Sequence, residues 1–183
     1  KNKEIKKKEK IKEDKIEKIK KKKKNFDIRG SFQEIYLLKE LKIKIIFSAL
    51  AHSKKNVIRG LHFQISNKQT KIIHVVRGSI LDVVVNLDRK SKKFGKIFKY
   101  TLNEGDILVV PNNYAHGYEC LSKNCTVLYH LDNYRDKKGE NGISFKDKDL
   151  NIKWVTKKPI VSKRDRLSNS FVTLKKKLKV YFL

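Results

Sequence analysis

An all-β fold, an antiparallel sandwich or barrel with short helical segments at its C-terminal end, is what this sequence predicts, on three observations. Between Asn56 and Asn133, β-branched and aromatic residues alternate with polar ones in runs of strand length. Turn signals at Gly78-Ser79, Asp88–Lys93 and Glu104-Gly105-Asp106 punctuate those runs. No helix-length amphipathic pattern lies between them, so the alternating strand–helix order of a parallel sheet is excluded. A chain of 183 residues is most simply one domain and is long enough to bury a real core.

Residues 1–24 read as a lysine-rich, low-complexity tail, and 25–183 as the folded domain. The isoleucines at 5, 11, 16 and 19 have only ragged helical spacing, which predicts a frayed helix or a disordered tail. NFDIRGSFQEIY, 25–36, turns at Arg29-Gly30 and enters alternation at Ser31. Leu37 to Leu50 holds a short helical or strand run ending in IIFSAL. Three strand-like runs follow, NVIRGLHFQ, KIIHVVRGSILDVVVNL and FGKIFKYTL, the second broken at Gly78-Ser79. A further strand ends at Pro111 ahead of His116, and CTVLYHLDNY alternates again, with Tyr129 sharing parity with Val127 and Leu131. From Tyr134 to Trp154 the text is loop-like. SFVTLKKKLKVYFL, with apolar residues at Leu174, Leu178, Tyr181 and Phe182, predicts a helix packing on the barrel.

Formal charge is +27, unevenly laid: residues 1–24 hold 14 Lys against 5 acids, a net of +9, leaving +18 for the rest. Lysine supplies most of the excess and no arginine-rich or aromatic-interleaved module accompanies it. A solvated basic surface that draws in a nucleotide diphosphate is therefore expected, rather than specific nucleic-acid binding. Cys120 and Cys125 have neither C-x-x-C spacing nor a nearby His/Cys cluster, so neither a disulfide framework nor zinc is implied. No apolar run reaches membrane-spanning length and no signal-peptide core follows the basic start. The expected compartment is the reducing cytoplasm.

The chemistry-bearing residues gather in two stretches, Val57–Gly78 and Gly105–Tyr118. Alternation puts His62 and Gln64 on one strand face, and curling of the sheet would make that face the inside of a barrel. An imidazole titrates near neutrality and suits proton transfer. A lone strand histidine is more often structural, so the surrounding residues decide the reading.

Those residues carry a resemblance. Gly105, Pro111, Asn113 and His116 have the outline of the second cupin motif, with Asn113 where a glycine is usual. RGLHFQ at 59–64, the KII/VVRG run at 71–78, FG at 94–95 and AHG at 115–117 narrow it further. Over roughly Asp27 to Asp165 the chain resembles the dTDP-4-dehydrorhamnose 3,5-epimerase family. The resemblance implies a cupin-type barrel or jelly roll and a dTDP-sugar substrate. It further implies a homodimer with strands exchanged between subunits.

The same resemblance supplies roles. His62 would be the base, Asp165 in PIVSKRD its support, Lys71 the group at the enolate oxygen, and Tyr129 the proton donor on the opposite face. Arg59, Gln64, His116 and Tyr134 would bind substrate. Arg29, Phe32 and Glu34, in a segment similar to D-x-R-G-x-F-x-E, would meet the nucleotide, partly from the neighbouring subunit. His74 stays unassigned, and His52 and His130 read as surface residues.

Two departures matter. The family's Gln-acid-Asn triplet is Phe47, Ser48 and Ala49 here, so polar contacts to nucleotide or sugar are lost. The H-x-H pair of metal-binding cupins is His62-Phe63-Gln64, and Glu34 and Glu119 do not sit where a carboxylate ligand is expected, so no metal or other cofactor is implied. The leading reading is epimerisation at C3 and C5 of dTDP-4-dehydro-6-deoxyglucose. The alternatives are a 3-epimerase or ketoisomerase on a related dTDP-sugar, and a non-catalytic cupin that binds a sugar nucleotide.

Overall fold

The structure, a computed structural model, describes residues 16–19, 23–35 and 41–181. Among the described residues twelve strands run in chain order: β1 (Glu17–Ile19), β2 (Asn25–Asp27), β3 (Gly30–Phe32), β4 (Phe47–Lys54), β5 (Ile58–Gln64), β6 (Lys71–Arg77), β7 (Ser79–Asn86), β8 (Ile97–Asn103), β9 (Ile107–Val110), β10 (Tyr114–Cys120), β11 (Asn124–Leu131) and β12 (Glu140–Gly142). Two helices close the described chain, α1 (Lys163–Arg166) and α2 (Phe171–Tyr181). The first sheet has the order β1-β9-β6-β11-β4, the second β12-β5-β10-β7-β8, and β2-β3 form a separate hairpin. Every strand pair is antiparallel.

Period two decides which residues meet. Ile73, Val75 and Val127 of the first sheet face Ile80, Val84, Tyr114 and Tyr118 of the second, and this is the core between the sheets. Leu61, Phe63, Leu81, Val83 and Val85 point out of the second sheet's other face. There the segment carrying Ile143, Leu150 and Ile152, with Phe171 and Leu174 of α2, covers them. Burying side chains of this kind contributes roughly 1.5–3 kcal/mol each. On the outer face of the first sheet, Leu41, Ile43 and Ile45 pack on Ile72, Ile107 and Val109.

Most of the predicted frayed helix or tail at 1–24 lies outside the described residues. Within it, Glu17–Ile19 instead forms β1 on the edge of the first sheet, against β9. A three-residue edge strand takes its backbone partners from its neighbour, which leaves no alternation to read beforehand. Phe171–Tyr181 is the predicted helix, and Phe171 and Leu174 do pack on the barrel; the side chains of Leu178, Tyr181 and Phe182 lie outside the described residues. Both cysteines are buried with free thiols, and burial pushes the Cys125 thiol up to about 12, which keeps it inert.

Candidate active site

A cavity of about 630 Å³ opens between the two sheets. Its lining includes Arg59, His62 and Gln64 of β5, Lys71 of β6, His116 of β10, Tyr129 and Leu131 of β11, and Phe47, Ala49 and Ala51 of β4. Arg59 and His62 have opposite parity, so a regular strand would send one of them outward. The register between β5 and β10 shifts instead: His116 faces His62 while Tyr118 faces Arg59, so β5 carries one residue more. That bulge turns both side chains toward the cavity. It requires close backbone approach, since a Cβ on Gly60 would stand 2.5 Å from the Gly117 Cα, and one on Gly117 2.6 Å from the Arg59 carbonyl oxygen.

His62 is held by Asp165, 2.7 Å from its Nε2 to Oδ1. The two residues are brought together by α1, whose N-cap Ser162 accepts a hydrogen bond from the Asp165 N–H. The Asp165 Oδ2 accepts in turn from the Gly60 N–H. Burial opposes ionisation of Asp165, yet the bonds from His62, Gly60 and Ser162 prevail and hold its carboxyl below the usual carboxylate range. The carboxylate fixes the ring and leaves the other ring nitrogen for a ligand.

Lys71 is buried in the cavity, and loss of hydration lowers its ammonium to about 8, with Asp132 and Glu140 limiting the fall. Tyr129 reaches in from the first sheet, opposite His62. Burial first, then neighbouring Tyr118 and Asp82, raise its phenol well above the ordinary tyrosine value, so it is protonated at neutral pH. His116 stands edge-on to Tyr129, ring centroids 6.0 Å apart. Arg59 donates to Ser53 Oγ and to the His52 carbonyl, both at 2.9 Å, which fixes its guanidinium in the cavity lining.

Gln64 lines the cavity, but its amide holds the 134–136 loop: it donates to the carbonyls of Asn67 and Tyr134 and accepts from the Asp136 N–H. Tyr134 is exposed and does not line the cavity. Neither do Arg29, Phe32 and Glu34, which sit on or just after the β2–β3 hairpin, with Arg29 paired to Asp27. His52, His74 and His130 share the outward face of the first sheet, where Ser48 binds His130 and Thr126 binds His52. Glu119 is buried against the Val155 and Thr156 N–H groups, at 2.7 and 2.8 Å, and so anchors a loop instead of facing the cavity.

The sequence reading missed Asp82. It lies fully buried with Oδ2 2.7 Å from His116 Nε2 and orients that ring as Asp165 orients His62. An acid inside the apolar run SILDVVVN, with the parity of core residues Ile80 and Val84, was the available signal. It also missed Glu140, which lines the cavity and holds Arg135 and Arg164 at 2.7 and 3.1 Å. Nothing in the sequence ties these three charges together. A base with its orienting carboxylate, a buried ammonium and a protonated phenol facing them is the equipment for proton abstraction and return beside a carbonyl.

Comparison with known proteins gives the same direction. The family profile described as dTDP-4-dehydrorhamnose 3,5-epimerase matches residues 14–173. A Shigella flexneri protein of that name is 32% identical over 80% of this chain and 86% of its own. A Salmonella typhimurium protein of the same name is 34% identical over 76% of this chain and 81% of its own. Among solved structures, the Bacillus anthracis dTDP-4-dehydrorhamnose 3,5-epimerase, with TDP and PPi bound, superposes with a TM-score of 0.79 at 31% identity. It covers 86% of this chain and 100% of that one. The Sulfolobus tokodaii enzyme gives 0.76 at 33% identity, over 85% and 94%.

Proposed function

We infer the activity from the family to which this chain belongs, the dTDP-4-dehydrorhamnose 3,5-epimerases: it inverts C3 and C5 of dTDP-4-dehydro-6-deoxyglucose. The observation that carries this is the His62–Asp165 pair with Lys71 and Tyr129 in one cavity. His62 takes the proton from the carbon beside the 4-keto group, and Asp165 stabilises the imidazolium that forms. The Lys71 ammonium meets the enolate oxygen, where one well-placed donor contributes roughly 3 kcal/mol to lowering the barrier. Tyr129 returns a proton from the other face. Both groups then exchange with water before the second carbon reacts. Arg59 and His116 take the substrate, with the diphosphate drawn toward the arginine.

Solvent-deuterium incorporation tests the reading directly. Exchange at both C3 and C5 is expected, and both signals vanish in His62→Ala and fall sharply in Tyr129→Phe. Exchange at C3 alone makes the chain a 3-epimerase, and no exchange with retained dTDP binding makes it a binding protein.

The homodimer belongs to the same proposal. Among the described residues the β2–β3 hairpin pairs only with itself and leaves Phe26, Ile28 and Phe32 exposed, and an isolated hairpin is marginal in water. A second copy would cover these residues and receive Arg29, Phe32 and Glu34 beside its own cavity. Light scattering on the full chain should give twice the chain mass, and Phe32→Ala should raise KM with little change in kcat.

A further inference from the structure

Of the three guanidiniums that line the cavity, Arg135 and Arg164 share the Glu140 carboxylate, while Arg59 has no carboxylate on it among the described residues. Its bonds go to neutral acceptors, from Nε to Ser53 Oγ and from Nη2 to the His52 carbonyl. It therefore keeps its whole charge, and among the described residues its Nη1 has no partner. The acceptor on Nε is itself held in place. Ser53 stands on β4 in the first sheet, and Arg59 on β5 in the second. The Ser53 side chain has the parity of Phe47, Ala49 and Ala51, so it points between the sheets, and the residue is 6% exposed. There its Oγ also meets the Tyr118 hydroxyl, at 2.9 Å. Tyr118 is fully buried and is the register partner of Arg59 across the β5 bulge. Burial pushes its phenol up to about 12, against the lowering effect of the Ser53 bond, so the hydroxyl is protonated at neutral pH. The links from Tyr118 to Ser53 to Arg59 thus run from the second sheet to the first and back. Leaving a buried hydroxyl unbonded is costly, which keeps the serine on the tyrosine and the arginine together. Ser53 does not itself line the cavity, so it serves a ligand through Arg59.

We propose that Ser53 and Tyr118 are positioning residues for substrate binding: Ser53 holds the uncompensated Arg59 guanidinium in place for the phosphates of a nucleotide sugar, and Tyr118 holds Ser53. This rests on the nucleotide-sugar reading of the cavity given above. A hydrogen bond that only orients a binding group acts on affinity and leaves the proton transfers at His62 and Tyr129 alone.

Steady-state kinetics and calorimetric titration of the full chain with dTDP, with thymidine as the uncharged control, test this. Ser53→Ala is expected to raise KM and the dTDP Kd about tenfold or more, the scale of a hydrogen bond to a charged group. Its kcat should stay within about twofold of wild type. Tyr118→Phe should cost less than Ser53→Ala, because Ser53 still accepts from Arg59. In an Arg59→Gln background Ser53→Ala should cost almost nothing further. If Ser53→Ala melts early, Ser53→Cys, with a weak acceptor at the same place, gives the same reading. Unchanged KM and dTDP affinity in the serine variants overturn the proposal and leave the epimerase reading standing. So does a loss as large in the Arg59→Gln background as in wild type, a matching loss for thymidine, or a larger loss in Tyr118→Phe than in Ser53→Ala. Failure of wild type to bind dTDP overturns the nucleotide-sugar reading, and this inference with it.

Discussion

His62 and Asp165 are joined by a 2.7 Å hydrogen bond, so in the proposed reaction the effects of their removal should not add. Asp165→Asn is expected to lower kcat about 10²- to 10⁴-fold, as loss of an orienting carboxylate does elsewhere. Asp165 acts through His62, so the same change in a His62→Ala background should cost almost nothing further. Lys71 gives a pH signature. Its ammonium titrates near 8 because it is buried, so kcat/KM should fall as pH rises through about 8, and Lys71→Met should remove that limb. The stability sign is opposite. Between about 8 and the ordinary lysine value the unfolded chain binds the extra proton, so the Lys71 contribution makes stability rise with pH in that window. Asp165, with its lowered carboxyl, contributes stability that is present above the normal carboxylate range and lost as pH falls through its folded value. His62, Lys71 and Tyr129 were legible because each sits in a motif or an alternating strand. Asp82 was not, because an isolated acid in an apolar run does not declare which distant ring it will hold.

At the scale of elements, the bulge on β5 decides whether the site exists. Gly117→Ala would push a methyl group to 2.6 Å from the Arg59 carbonyl and force β5 and β10 apart. The expected result is a loss of exchange activity larger than the loss of thermal stability, measured side by side. Simple alternation, read along RGLHFQ, would have turned Arg59 away from the cavity if His62 faced it; only the register shift reconciles the two. The C-terminal helix is tied down independently. Asp147 accepts from the N–H groups of Phe171, Leu150 and Asp149, at 2.7, 2.9 and 3.0 Å. Asp147→Ala strands these donors and should cost roughly 1–3 kcal/mol. In a chain of this size that lowers the melting midpoint by about 2–4 °C per kcal/mol, while exchange well below the midpoint stays near wild type. The helix was readable from its spacing. Its anchor was not, being a side chain far from the helix in sequence.

For the whole molecule, the chain carries a net charge of +27, and its cavity holds Arg59, Lys71 and Arg164. Such a field steers an anionic nucleotide sugar, so kcat/KM should fall by about tenfold or more from low to high ionic strength while kcat holds. A neutral viscosity control separates steering from diffusion. Lysine bias thus bears on encounter, and it carries no information about the fold.

The sequence by itself determined the strands and turns between 56 and 131 and the all-β class, and it named His62, Lys71 and Tyr129, which line one cavity. The first two follow from local periodicity, and the named residues from the family resemblance carried by short motifs whose residues are neighbours along the chain. Only the tertiary structure decided that Asp165 reaches His62, that Asp82 holds His116, and that a bulge admits Arg59 and His62 together. It alone brought Phe47, Ala49 and Ala51 of β4 into the same cavity as Tyr129. Each of these joins residues remote in sequence or depends on strand register, which antiparallel pairing across two sheets sets and no local pattern encodes.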